Sequence, residues 1–167
     1  ALILGLIHLL IRDKMFDEPF VKDWTNAPFL VRSDTGDLVG SDQLAMPSPA
    51  GGFVVWDRAG NSPAVYSPGT RGYDRAVQPE LEGTFTCLLG QGEKVGVRPV
   101  FEHLKDLVAS YTPERVQDIT GIPAQKIREL AHALGTVKPA SYFSYNGLEQ
   151  HTNAMQTNRA LCILYAL

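Results

Sequence analysis

Apolar and polar positions divide this chain into a helical opening, a loop-rich middle and a helical second half. The first eleven residues, ALILGLIHLLI, are almost wholly apolar. Leu2, Leu6, Leu9 and Leu10 recur at helical spacing, which predicts a mostly buried helix ended by Arg12-Asp13-Lys14. Asp17–Asn26 predicts a second, short helix. Asp17 is placed to cap it, Pro19 is tolerated in a first turn, and Phe20, Val21 and Trp24 supply an apolar stripe. Phe29–Arg32 reads as a brief extended segment. From Ser33 to Gly52 there is little periodicity and much Gly, Pro, Ser and Asp, the pattern of a long surface loop. Phe53–Asp57 predicts a strand with a turn, DRAGN, at its end. Ser62–Gln78 reads as loop again, Leu81–Leu89 as a further strand, and Gln91–Val100 as a Gly-rich stretch leading outward.

The second half is periodic. Phe101, Leu104, Leu107, Val108 and Tyr111 fall on one helical face, with Glu102, Lys105 and Asp106 away from it. Thr112-Pro113 is a strong start signal, a capping hydroxyl before a proline at the first helical position. The helix it opens, Pro113–Thr120, is expected to bury Val116 and Ile119 and to end at Gly121. A third helix begins at Pro123. Ile127, Leu130, Ala131 and Leu134 mark its inner face, and Gly135 is placed to end it in a left-handed conformation. Lys138-Pro139 then turns the chain into Ala140–Tyr145, an apolar run that predicts an interior strand. A polar turn, Asn146–Asn153, has six polar side chains in eight residues, and an apolar helix follows it. The predicted class is α/β, with a mostly parallel sheet flanked by helices. Three segments organise it: a helical segment and short strand over 1–32, long loops with short strands over 33–98, and an α/β unit carrying the polar turn over 99–167.

Composition narrows the function classes. A net charge of −3 is spread through the sequence, with neither a basic stripe for nucleic acid nor an acidic tail. Cys87 and Cys162 lie in apolar runs and read as buried thiols. No Cys-x-x-Cys or Cys/His spacing points to a zinc or iron–sulfur site. The opening apolar run is too short to span a bilayer and lacks a basic flank, so direct membrane insertion is not expected. The sequence opens inside one apolar run and closes inside another without a helix terminator. The expectation is an internal piece of a larger, multi-domain subunit.

Ligands in open α/β sheets sit where strands give way to helices, which makes Asn146–Asn153 the candidate site. Thr152 or Asn153 would serve equally well as a plain helix cap. A resemblance carries the reading further. The run from Tyr111 to Leu167 holds the joint pattern TPE…ITGIP…I…LA…KPA…G…QHTN…Q…RA. It resembles the middle of the catalytic subunit of molybdopterin-dependent oxidoreductases. That family includes formate dehydrogenases and the reductases of dimethyl sulfoxide, nitrate, thiosulfate, polysulfide and arsenate. GLIHLLIRDKMFDEPFVKDWTNAPFLVR and VRPVFEHLKDLVASYTPE resemble further parts of the same subunits, while Ser33–Arg75 matches only loosely.

The resemblance implies a parent oxidoreductase of anaerobic respiration acting on formate or on a sulfur, nitrogen or arsenic oxyanion or oxide. The 167 residues alone are expected to be inactive. Gly147, Leu148, Glu149, Gln150 and His151 match the segment that lines a bis-molybdopterin guanine dinucleotide cofactor holding molybdenum or tungsten. Gln150 and His151 are the implied residues near the metal, and Asn153, Thr157 and Arg159 complete the implied cofactor contacts. Side-chain amides, a hydroxyl and a guanidinium suit a pterin and its phosphates. No metal ligand is implied within the chain, and Cys87 has no matching context. A [4Fe–4S] cluster would lie in the parent but outside these residues. Implied partners are the remainder of the subunit, an iron–sulfur electron-transfer subunit and a membrane-anchor subunit, in the periplasm or cytoplasm of a bacterium or archaeon. The alternative reading is a non-catalytic α/β ligand-binding or structural module.

Overall fold

The computed structural model describes residues 1–45, 51–73, 76–143 and 145–167. Positions 46–50 and 74–75 of the expected loops, and Ser144 of the expected strand, lie outside the described residues. The elements are α1 (Leu2–Arg12), α2 (Glu18–Trp24), β1 (Leu30–Arg32), β2 (Phe53–Asp57), β3 (Ser62–Ser67), β4 (Gly72–Tyr73), β5 (Phe85–Leu88), β6 (Lys94–Pro99), α3 (Val100–Ala109), α4 (Pro113–Thr120), α5 (Ala124–Thr136), α6 (Asn146–Glu149) and α7 (Ala154–Tyr165). Two compact units hold them, Ala1–Val21 with Lys105–Leu167, and Lys22–Leu104.

The Lys22–Leu104 unit contains two small sheets, ordered β1-β6-β5 and β2-β3-β4. Every pairing in them is antiparallel. The class is α/β, but the expected mostly parallel sheet is corrected. For the pairs that are adjacent in sequence, the physical cause is connection length. Turns of four and five residues join β2 to β3 and β5 to β6, whereas a parallel pair needs a crossover of about a dozen residues or more. Asp57 holds the first turn: fully buried, it accepts the Ala59 N–H at 3.2 Å and the Gln78 N–H at 3.0 Å through Oδ1. Trp56 stacks on Phe85 with centroids 4.6 Å apart. Leu30, Val39, Leu44, Val54, Cys87, Leu89, Val95 and Val97 form one buried cluster. Phe29, Val55 and Ala64 form another, against which Phe53 and Tyr66 pack.

Several expectations for this unit change. β3 lies in a stretch read as loop because of Pro63, yet the proline sits near the strand start, where a missing donor is tolerated. β6 was hidden by Gly96 and Pro99, although Val95 and Val97 alternate inward in it. The described part of Ser33–Gly52 is a surface loop only over 33–38, which is exposed, and turns partly inward after it. The Val39 N–H donates to Leu30 O at 2.8 Å, and Val39, Ser41 and Leu44 are buried. Trp24, expected to pack, is 77% exposed. Phe20 and Trp24 share one face of α2, while the buried Val21 lies roughly 100° round the helix.

Local signals are honoured in the helices. Thr112 Oγ1 accepts the Arg115 N–H at 3.3 Å, Pro113 occupies the first turn, and Gly121 ends α4 at φ 73°. Asp17 caps α2 by accepting the Phe20 N–H at 3.0 Å. α1 packs against α4, α5 and α7 and buries Leu6, Ile7, Leu9, Leu10 and Ile11. The expected inner faces are narrower than their stripes: Val116, Ile127 and Ala131 are buried, while Leu107, Ile119 and Leu130 are exposed.

The described residues of Ala140–Tyr145 do not form the expected interior strand. They carry neither helix nor strand and are exposed. A strand needs a neighbour for its backbone N–H and C=O groups, and the described residues of this unit contain none.

Gly135 does not end α5, which runs through it to Thr136 and closes on Val137 at φ −96°. The glycine answers a close approach instead. A Cβ there would lie 2.8 Å from Met15 Cβ and 3.2 Å from Met15 O. Gly135→Val is therefore expected to cost about 1–3 kcal/mol by overpacking, read as a lower urea midpoint at 222 nm. Gly135→Ala supplies the check. At an open helical site it would gain up to about 1 kcal/mol, so a stabilised alanine variant would show that Met15 does not press on α5.

Candidate functional site

The polar turn folds from local bonds. Asn146–Glu149 make one helical turn, α6, closed by the Leu148 N–H on Tyr145 O at 2.9 Å and the Gln150 N–H on Asn146 O at 3.2 Å. His151 O then accepts the Ala154 N–H at 3.0 Å, and Asn153 O accepts the Thr157 N–H at 3.0 Å, which launches α7. Asn153 occupies the N-cap position, but its side chain makes no capping bond. Its amide is thereby left for another partner.

Two surroundings divide the expected site residues. Leu148, Asn153 and Thr157 line a cavity of about 810 Å³, together with Leu2, Ile3 and Leu6 of α1, Leu134 of α5, Tyr142, and Leu161 and Leu164 of α7. Gln156 joins them, a residue that the sequence reading passed over. The signal was present: Asn153, Gln156, Thr157, Ala160, Leu161 and Leu164 follow helical spacing and share one face. The cavity wall is mainly aliphatic and has no charged side chain. A smaller pocket of about 400 Å³ adjoins Leu10, Met15, Leu134 and Leu164 and includes Lys138.

Gly147, Glu149, Gln150, His151 and Arg159 stand outside that cavity and are exposed. A Cβ on Gly147 would meet no heavy atom within 4 Å, so the space beside the turn is open. Arg159 makes no ion pair with a described residue. It lies six residues beyond Asn153, a rise of about 9 Å along α7. The turn therefore offers side-chain amides, an imidazole and a guanidinium on an open surface. The cavity beside it offers an aliphatic wall with two amides and a few hydroxyls.

Neither cysteine adds chemistry to this turn. Cys87 is fully buried in the core of the other unit, where burial pushes its thiol up to about 11. Cys162, expected to be buried, is exposed on α7. Among the described residues no group of three or more His, Cys, Asp or Glu converges to hold a metal ion. No described helix is long and apolar enough to cross a membrane.

No family model matches the chain. Individual proteins do. The alpha subunit of perchlorate reductase from Dechloromonas aromatica is 31% identical over 192 aligned positions, covering 100% of this chain and 21% of that protein. The alpha subunit of chlorate reductase from Ideonella dechloratans is also 31% identical, over 98% of this chain and 18% of its own length. The alpha subunit of dimethylsulfide dehydrogenase from Rhodovulum sulfidophilum is 30% identical, over 99% of this chain and 18% of its own. The chain thus spans about a fifth of the length of the curated relatives it matches.

Proposed function

Because the sequence belongs to the catalytic subunits of the molybdopterin oxidoreductases of the dimethyl sulfoxide reductase family, we propose that these residues help hold a molybdenum–pterin cofactor in such an enzyme. The observation that carries the reading is a match along 98–100% of the chain to the alpha subunits of two reductases and a dehydrogenase. The parent activity is oxidoreduction of a small oxyanion, oxide or sulfide. A non-catalytic module is the less favoured reading, since the similar proteins carry the names of redox enzymes.

The chemistry of the donor set separates the two candidate locations for the cofactor. A pterin dinucleotide is anionic through its phosphates and carries amide-like donors and acceptors. An aliphatic cavity without a cation would leave those charges unpaired at high cost. The open turn fits better. Gln150 and His151 offer hydrogen bonds to a ring edge. Arg159 offers a two-pronged contact to phosphate, and the first-turn N–H groups of α7 add partial positive charge. The space open above Gly147 admits a flat ring close to the backbone. Glu149, beside Gln150, is the acceptor for a ring N–H.

Arg159 lies about two turns of α7 beyond the turn that carries Gln150, a rise of roughly 9 Å, so a ligand touching both is extended, as a dinucleotide is and a lone oxyanion is not. When bound, the metal supplies two-electron exchange with the substrate. The residues of this chain bind, orient and neutralise. The proposed form of the cofactor is the bis-guanine dinucleotide with molybdenum, tungsten being the other candidate metal. A [4Fe–4S] cluster elsewhere in the parent and separate electron-transfer and membrane-anchor subunits complete the proposed assembly.

The test uses the complete catalytic subunit. Losing one charged hydrogen bond costs about 1.5–3 kcal/mol, so Arg159→Ala should reduce bound pterin and molybdenum per subunit. Gln150→Ala should retain the metal and lose turnover. Full metal content and full turnover in both variants would reduce the turn to scaffold and overturn the reading.

A further inference from the structure

Among the described residues from 136 to 153, Leu148 is the one that is not exposed. Between 141 and 152 only Leu148 and Tyr142, again among the described residues, line the larger cavity. Tyr142 also places its ring centroid 5.6 Å from that of Tyr165, the last residue of α7. Leu148 belongs to α6, a single turn that packs against α7. Two backbone bonds close that turn, from the Leu148 N–H to Tyr145 O and from the Gln150 N–H to Asn146 O. A lone helical turn does not hold itself in water, because so few bonds do not offset the cost of nucleation. The turn that presents Gln150 and His151 is thus held by packing, and Leu148 is the side chain placed to hold it.

We infer that Leu148 is a positioning residue: its side chain seats the polar turn against the aliphatic wall and so fixes which way Gln150 faces. Helical geometry supplies the link. Gln150 follows Leu148 by two residues, about 200° round the turn, so a leucine directed into the cavity leaves the glutamine directed away from it. The cavity-lining Leu148 and the exposed Gln150 match that arrangement. The wall supports an anchor in place of the cofactor contact that the resemblance implied. Leu2, Leu6, Leu134, Leu161 and Leu164 line the cavity with it, company that suits a leucine and leaves a phosphate unpaired. Tyr142 on Tyr165 is the second attachment, at the entry to the turn. The inference rests on the reading of the turn as a cofactor site and adds how that turn is held in place. Misplacing a group by about 1 Å can cost roughly 100-fold in rate, so an anchor that touches no ligand can still govern turnover.

The test compares Leu148→Ala and Leu148→Met in the complete catalytic subunit. Amide hydrogen exchange in the peptide carrying residues 146–153 should quicken at least about tenfold in the alanine variant, while the peptide carrying α5 keeps its rate. The kcat should fall about 10–100-fold, with bound molybdenum and pterin retained and KM within about threefold. Methionine, apolar and similar in volume, should return both exchange and kcat to within about threefold of the unmodified enzyme. Leu148→Val, with an intermediate loss expected, takes the place of the alanine variant should that one not fold. Unchanged exchange in the turn would overturn the inference, since Leu148 would then hold nothing. Equal quickening in α5 would overturn it as well, by making Leu148 a general support of the unit. Quickened exchange with full turnover would remove the positioning role. Exchange reads the anchor without reference to any ligand, whereas Gln150→Ala reads the role of the turn, so this idea and the cofactor reading fail separately.

Discussion

Phe101→Ala is expected to destabilise the Lys22–Leu104 unit by about 3–5 kcal/mol, the cost of deleting a large aromatic from a packed interior. Phe101 is 1% exposed and is among the largest fully buried side chains. It stands in the first turn of α3, immediately after β6, where two backbone bonds fix the exit of the chain. The Val100 N–H donates to Phe29 O and the Phe101 N–H to Ala27 O, both at 2.9 Å. With the backbone held there, the surroundings cannot collapse freely into the space the ring leaves. That places the cost towards the upper part of the range. Trp24 and Trp56 both belong to this unit, so a urea titration followed by tryptophan fluorescence reads it directly. A loss below about 1 kcal/mol, typical of surface changes, would show that the ring is not packed as described.

Ile127→Ala should cost the helical unit about 2–5 kcal/mol. Ile127 is fully buried, and with Ala131 it forms the inner face of α5 packed against α1. Leu130→Ala is the internal standard. It removes a side chain of similar size three residues away, but that side chain is 43% exposed, and the expected loss is under about 1 kcal/mol. Ellipticity at 222 nm follows both variants, since α1, α4, α5, α6 and α7 all lie in this unit. Equal losses in the two would contradict the burial pattern. The outcome matters for the candidate site, because Leu134 of α5 and Leu6 of α1 line the cavity that Asn153 and Thr157 face.

The candidate site was legible in part. The polar turn between apolar elements marked Asn146–Asn153, and the resemblance attached a cofactor chemistry to it. What the residues did not disclose is that Leu148, Asn153 and Thr157 turn to an aliphatic cavity while Gln150, His151 and Arg159 stay on an open surface. That division depends on where α1 lies, and α1 is more than a hundred residues earlier in the chain. Gln156 was missed for the same reason: its spacing from Asn153 was visible, but not the wall it faces.

By itself the sequence determined the elements whose ends are written in local chemistry. Thr112-Pro113 and Gly121 fixed α4, Asp17 fixed the start of α2, and the apolar opening run fixed α1, because caps and helical bonds close within four residues. Tertiary structure alone decided the sheets. β6 pairs with β1 about 67 residues away in register, Val31 opposite Arg98, a partner that no window along the chain reveals. It also decided the fate of Ala140–Tyr145, whose apolar run reads as a strand yet has no strand beside it among the described residues of its unit. Burial followed the same rule. Val21 went inside and Trp24 stayed in water, because hydrophobicity favours burial but only the neighbours available determine which side chain is covered.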